Sequence, residues 1–386
     1  METAEIRKWT FERAVAPRYS SLNNQNVHPR DTAIVFDEGA HLYTVNGNRA
    51  ELSVTGFKEL FTYKFPGEAI VKEAFNSPTQ IWEYPDDQKH LQRVIKPGNG
   101  HHGKTRYEIL QWGNAAERGT MIHKRIEDFL ESRTTQEFAE ILGHPQAYKH
   151  CFEEMSQPDD SKETKCLIHQ VAKFLVEFHQ MGWVPYRTEW RVWHNHSIDH
   201  GPNNTYNILL AGSIDAVFQK MDDSKELCIV DWKVSDKTFT NRSYMSKDPF
   251  YLPAPFDALE NTKLNQYAIQ LETYSYMIEE NYELNIASSW IVQLKPGVRF
   301  STDYKKYQCP NLRKEVEHAL RIYYDYMITR EALKRWDVWY LRNKIRKIGQ
   351  MIPDIPHPPF YEDFYEYTHK PTKDPGEYVF STDEDF

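Results

Sequence analysis

The chain lacks most of the features that would assign a sequence to a simple class. Its 386 residues include four cysteines (Cys151, Cys166, Cys228 and Cys309) and no Cys-x-x-Cys pair. That spread gives neither a zinc-ribbon spacing nor a disulfide framework, and it fits a reducing compartment. There is no run of about 18 apolar residues, so no transmembrane helix and no membrane partner are expected. The N-terminal stretch has no apolar signal core, and Glu2 and Glu5 argue against a transit peptide. The expectation is an intracellular protein of the cytoplasm or nucleus. A Gly-rich phosphate loop is also missing, which excludes a built-in ATPase or helicase. Excess positive charge is absent too, because the formal net charge is −9. However, residues 353–386 hold nine Asp/Glu against two Lys, so the preceding 352 residues carry only −2. The acidity belongs to a tail and says little about the body.

What is present is aromatic. Phe, Trp and Tyr make up 14% of the chain, which suits a surface that stacks bases as well as an aromatic core. With 40% hydrophobic and 27% charged residues, the chain reads as soluble and globular, with one large domain or two ordinary ones.

Along the chain, residues 1–30 are polar, without a periodic pattern, and read as a loose arm. Residues 31–104 form a strand-and-helix elaboration. In it Asn46-Gly47 marks a hairpin turn and Ser53 or Thr55 caps a short helix, while residues 76–104 read as a long loop. From Thr105 to Ser132 the spacing is helical, with Ile122, Ile126, Phe129 and Leu130 on the buried side. Residues 133–162 are mixed, and a second helix follows, stopped by Gly182 and Pro185. "YRTEWRVWHN" alternates as a strand. Beyond it come a hairpin, an irregular stretch at 235–258, a strong helix over about 259–282, and a strand closed by Pro296. The order describes a core at 105–300, an α/β arrangement with a mixed central sheet flanked by helices. A helical region at 301–350 and an acidic tail at 351–386, disordered or loosely packed, complete the chain.

The hairpin, Gly212 to Val234, is where chemistry surfaces. Two apolar runs joined by "QKMDDSK" contain Asp215, Asp231 and Lys233. Buried carboxylates are costly unless paired, hydrogen-bonded or metal-bound. Asp231 and Lys233 are two apart and leave the same strand face, which Asp215 can also reach. A divalent-metal site with a charged helper is one reading; a solvated amphipathic face is the other.

Four segments decide between them. "GTMIHKRIE", "GSIDAV", "IVDWK" and "QLETY", in that order, resemble the motifs of PD-(D/E)XK nucleases of the RecB-like branch. Those motifs are a helix with Gly-xxx-His, a strand with Gly-x-x-Asp, a strand with (D/E)-x-K and a helix with Gln-xxx-Tyr. The similarity covers about residues 40–300, and "LSVT" is similar to mitochondrial genome maintenance exonucleases and related viral and phage nucleases. The resemblance implies a restriction-endonuclease-like core with N- and C-terminal helical additions. It also implies a metal-dependent DNA nuclease, an exonuclease on ends or single strands, in replication, repair or recombination. An endonuclease, an RNA-cleaving enzyme and a catalytically idle DNA-binding scaffold are the alternatives.

Phosphodiester hydrolysis needs an activated water and stabilisation of negative charge at phosphorus, both of which a bound Mg²⁺ or Mn²⁺ supplies. Asp215 and Asp231 would offer carboxylates and the Trp232 carbonyl a third oxygen, with Lys233 orienting the water. A metal neighbourhood would lower the Lys233 pKa. The resemblance adds His123 to the metal shell and assigns Gln270 and Tyr274 to bracing the catalytic strand and touching the DNA backbone. Glu127, one turn beyond His123, is a further metal candidate or a surface carboxylate, and Glu189 is structural or supports the site from behind. Ser235 and Lys237 are candidate phosphate contacts, Ser235 being equally a turn serine. Arg342, Lys344, Arg346 and Lys347, interleaved with aromatics, are a candidate DNA-facing helix or a solvated basic face. His194 and His196 alternate on a strand without a matching Cys or His pair, so they are read as surface histidines. No cysteine trio follows Gln270, so no iron–sulfur cluster is expected.

Overall fold

The computed structural model describes residues 21–62, 106–199, 205–222, 224–235, 237–240, 251–297 and 303–327. A one-turn helix α1 (Leu22–Gln25) and a 3-10 turn (Pro29–Ala33) lead into β1 (Ile34–Asp37), β2 (Leu42–Val45) and β3 (Asn48–Arg49). Asn46 and Gly47 both have positive φ, as a two-residue hairpin turn demands. After β4 (Leu52–Ser53) the chain enters α2 (Val54–Leu60), where Ser53 Oγ accepts the Gly56 N–H at 3.0 Å.

The helical layer is α3 (Arg106–Leu130), α4 (Thr135–Leu142), α5 (Ala147–Met155) and α6 (Lys162–Gln180). Residues 133–162, expected to be mixed, are thus mostly helical. Thr134 and Glu137 form a capping box, a local signal that starts α4. α6 buries Leu167, Val171, Phe174, Leu175 and Phe178 at helical spacing and ends where Gly182 takes φ 88°. Pro185 does not stop the helix; it lies at a bulge inside β5 (Trp183–Asp199).

β6 (Thr205–Lys220) is the axis of the six-stranded sheet. β5 runs antiparallel along one side of it. The other side is shared: β4 pairs in parallel with Leu210 and Ala211, and β7 (Leu227–Val234) pairs antiparallel with Ala216–Gln219. Residues Gly212–Asp215 fall between these partners, so β6 is notched there. Beyond β7, β8 (Ile286–Leu294) is parallel to it and β9 (Lys305–Gln308) antiparallel to β8, so the sheet is mixed.

One sheet face is covered by α2, α7 (Lys263–Asn281) and α8 (helical residues 313–327), through Phe57, Tyr274, Ile278 and Tyr323. The other face is covered by α3–α6, whose Ile126, Phe174 and Phe178 share one cluster with Trp232 of β7. Farther along β6 on that second face, Ile34 and Val45 of the β1–β3 sheet pack on Leu209 and Ala211. Strand alternation slips at the notch: Ile214 and Val217 join the first cluster, Ala216 and Phe218 the second.

Residues 21–30, expected within a loose arm, are fastened to β5. Asn23 bonds both backbone groups of Thr188, donating to its C=O at 2.8 Å and accepting its N–H at 3.0 Å. The amide stands in for a neighbouring strand at the sheet edge. Asp31 accepts from Arg187 at 2.6 Å and from the Trp190 indole at 2.9 Å. Leu22 is fully buried. Residues 1–20, the whole of the expected 76–104 loop and the acidic tail lie outside the described residues. Among the described residues no helix is long and apolar enough to cross a membrane.

Candidate active site

The site forms where β7 leaves β6. Continuing the register that pairs Ala216 with Val230 would set Asp215 against Asp231. Instead the Trp232 N–H donates to Asp215 Oδ2 at 2.9 Å. A side-chain carboxylate has taken the place of a strand carbonyl, and the ladder opens. On the other flank, Thr188 pairs with Ala216 and Trp190 with Ile214, which puts Glu189 directly across from Asp215. Thr188 Oγ1 donates to the Asp215 carbonyl at 2.9 Å and ties the two strands together at that point.

Glu189 has φ 45°, a left-handed conformation that non-glycine residues rarely adopt outside functional sites. Carboxylates facing each other across a strand pair repel. Burial pushes the Glu189 carboxyl up to about 7, and Asp215 adds to the effect. A hydrogen bond from Ser213 Oγ at 2.9 Å and the nearby His123 offset it in part.

His123 projects from α3 toward this pair. Its Nε2 lies 2.9 Å from the Trp232 carbonyl oxygen, which can only accept, so Nε2 carries the hydrogen. That leaves Nδ1 as a lone-pair donor, 3.5 Å from Asp215 Oδ2. His123, Glu189 and Asp215 each bring one donor atom, all within 4.8 Å of one another. An imidazole with two carboxylates suits a divalent cation such as Mg²⁺ or Mn²⁺. The unrelieved Glu189–Asp215 repulsion is what such a cation would remove, so these residues fit a metal. The Trp232 carbonyl, expected as an oxygen ligand, is engaged by His123, fixing the ring's tautomer and orientation.

Asp231 lies on the far side of the notch, buried, its Oδ2 2.6 Å from Lys233 Nζ. Burial raises the Asp231 carboxyl, Lys233 works against that, and Asp215 adds to it. For Lys233, burial works downward, but Asp231 and Asp215 outweigh it and hold the ammonium above the ordinary lysine range. Without a metal, the two carboxylates thus stabilise the charged form of Lys233. Lys233 Nζ also sits 4.9 Å from the Tyr267 ring centroid on α7.

Gln270 and Tyr274 share the buried face of α7, and the Gln270 side chain hydrogen-bonds the Tyr274 phenol. Tyr274 lies on Gly212. A Cβ at that position would stand 2.7 Å from the phenolic oxygen and 2.8 Å from the ring. The glycine of "GSID" is thus explained by close approach: any side chain would push α7 off the notch.

Other expected residues fall outside this cluster. Glu127 is paired with Lys124 at 3.0 Å and adds negative charge near Glu189. Ser235 Oγ donates to the Lys237 carbonyl at 3.0 Å, the turn-serine reading, and Lys237 is exposed. His194 and His196 are not surface histidines. His194 is buried and bonded to Asn281 at 2.8 Å, and His196 stacks on Tyr324 at 4.0 Å. Arg342, Lys344, Arg346 and Lys347 lie outside the described residues.

Glu189 is the residue that sequence reasoning undervalued. A signal existed: Gly201, Pro202, Asn203 and Asn204 are turn-favouring residue types between two strand-like runs, and the antiparallel register of β5 with β6 sets Glu189 opposite Asp215.

A mixed sheet with Asp215 on one strand, Asp231-x-Lys233 on the next and helices on both faces has the architecture of a phosphodiester-cleaving core of the restriction-endonuclease type. A family model of the PD-(D/E)XK nuclease superfamily matches residues 105–338, and the chain belongs to that superfamily. Its members use divalent metals. Comparison with curated proteins finds no match.

Proposed function

We propose that this protein is a divalent-metal-dependent DNA nuclease, an exonuclease acting on ends or single strands in replication, repair or recombination. The observation that carries the reading is the convergence of His123, Glu189 and Asp215 on one point beside the Asp231–Lys233 pair. His123, Glu189 and Asp215 would hold the metal, with Asp231 at its border. Mg²⁺ or Mn²⁺ there supplies an acidified water and charge stabilisation at phosphorus.

The chain's own residues do the rest. The Trp232 carbonyl and N–H orient His123 and Asp215 toward one another. Lys233, kept protonated by Asp231, places a fixed cation beside the phosphate and positions the attacking water. Gln270 and Tyr274 brace the strand through Gly212 and line the approach of the sugar-phosphate backbone. Glu189, with its raised pKa, accepts a proton when no cation is present and loses it when one binds.

The test is an assay with Mg²⁺ and with Mn²⁺ on end-labelled single strand, linear duplex, covalently closed circle and RNA. Cleavage of the linear DNAs with the closed circle intact is expected. Cutting of closed circles replaces the exonuclease assignment with an endonuclease, and preference for RNA replaces the substrate. Full activity in Asp215→Ala overturns the metal-site assignment.

A further inference from the structure

Lys58 is buried at 7% exposure on α2, outside the segment that matches the nuclease family. Its helix springs from β4, whose last residue, Ser53, lies beside Ala211 at the edge of the notch. Among the described residues the Lys58 ammonium makes no hydrogen bond and no ion pair. The charges that reach it are exposed Glu59, Lys263, Lys233 and Asp231. Asp231 is already taken by Lys233 at 2.6 Å. Among the described residues Lys58 is therefore a buried cation with no ion-pair partner, within electrostatic reach of Lys233 in the candidate active site and of exposed Lys263. Burial dominates its environment and draws the ammonium down to about 8.

An unpaired buried ammonium is a standing cost in a folded protein unless a ligand supplies the missing charge. The surroundings define that ligand. It is anionic, because the charges of Lys233 and Lys263 both act on Lys58. It arrives beside the Asp231–Lys233 pair, whose charges reach Lys58. In a nuclease, the anion arriving there is the substrate backbone. We propose that Lys58, with Lys263 beside it, forms a phosphate subsite that holds a phosphate of the substrate strand next to the Asp231–Lys233 pair. This rests on the nuclease reading and deepens it: Lys58 positions the strand and Lys233 serves the reaction. A phosphodiester within the strand and a terminal phosphate monoester share the same oxyanion chemistry, and the experiment separates them.

Lys58→Met and Lys58→Arg are compared with wild type in the full chain, by fluorescence anisotropy on labelled single-stranded oligonucleotides and by cleavage kinetics with Mn²⁺. Lys58→Met is expected to raise KM by more than it lowers kcat and to weaken binding. The slope of log Kd against log salt should flatten by about 0.7, the contribution of one phosphate contact on a single strand. Its melting temperature should hold or rise, because an unpaired buried charge has been removed. Lys58→Arg should keep the wild-type slope. An equal binding loss on 5′-hydroxyl and 5′-phosphate strands assigns the subsite to an internal phosphodiester; a loss confined to the phosphorylated strand assigns it to the terminus. Unchanged Kd, KM and salt slope in Lys58→Met overturn the subsite, as does a fall in melting temperature without a binding change. If wild type binds strands but cuts none, the nuclease reading fails and the anisotropy still decides the subsite. If it binds none, both fail.

Discussion

Two charge pairs flank the notch, and they are built in opposite ways. Asp231 has its own cation, Lys233, 2.6 Å away on the same strand, so the buried pair is close to neutral. Glu189 and Asp215 face each other across two strands, and among the described residues no lysine or arginine is paired with either. The first pair is complete within the chain. The second is left incomplete: Glu189 has a left-handed backbone, its carboxyl is raised by burial first and by Asp215 second, and three donor atoms converge there. Folding has placed a permanent cation beside Asp231, and around Asp215 a set of donor atoms that could hold a metal ion.

The largest expected effect separates activity from stability. Asp215→Asn should lower cleavage on the order of 10²–10³-fold, while the metal-free protein, relieved of the repulsion, melts no earlier than wild type. Retained activity, or a clear loss of metal-free stability, would break the contrast. The opposite balance is expected across the notch. Asp231→Asn strands the Lys233 ammonium, whose side chain is 21% exposed. Removing one partner of a buried pair costs about 3–5 kcal/mol, and that residual exposure reduces the loss here to roughly 2–3 kcal/mol. Urea denaturation without metal measures it.

A smaller effect belongs to Glu189→Gln. Isothermal titration with Mn²⁺ should show affinity falling about 10–100-fold, the range for a group that supports a metal site. Unchanged affinity would reduce the candidate ligands to His123 and Asp215. The smallest is a pH effect. Because the folded-state pKa of Glu189 is raised to about 7, the protonated carboxyl stabilises the metal-free fold fully below its unfolded value of about 4.5. That contribution is lost as pH rises through about 7. Between pH 5 and pH 8 the metal-free wild type should therefore lose more melting temperature than Glu189→Gln, by a few degrees. His194, lowered to about 4 by burial, has the opposite dependence but is common to both proteins and drops out of the difference.

Much of this was legible in the sequence because it depends on local spacing. Ile122, Ile126, Phe129 and Leu130 are all buried on α3, as their helical spacing requires. His123 projects from the same helix to within 3.5 Å of Asp215, the neighbour that the family resemblance implied for it. What was not legible depends on pairing across distance. Asn23 acts on Thr188 from 165 residues away, so a polar segment that resembles an arm proves to be an edge clamp. Arg187, Trp190 and Asp31 form one network that no local pattern announces. His194 and His196 looked like surface residues because alternation was read without knowing that α7 and Tyr324 cover that face.

The sequence alone determined the α/β class, the hairpin with Asp215 and Asp231-x-Lys233, and the flanking helices with His123 and Gln270-xxx-Tyr274. Periodicity and short motif spacing are properties of consecutive residues, and they survive without coordinates. Only the tertiary structure decided that the ladder opens at Asp215, that Glu189 stands opposite it, and that Tyr274 rests on Gly212. It also decided that Lys58 is buried on α2 with no ion-pair partner among the described residues. Each of these is a contact between distant elements, set by register and by how far a strand can splay before a side chain takes over the backbone's hydrogen bond.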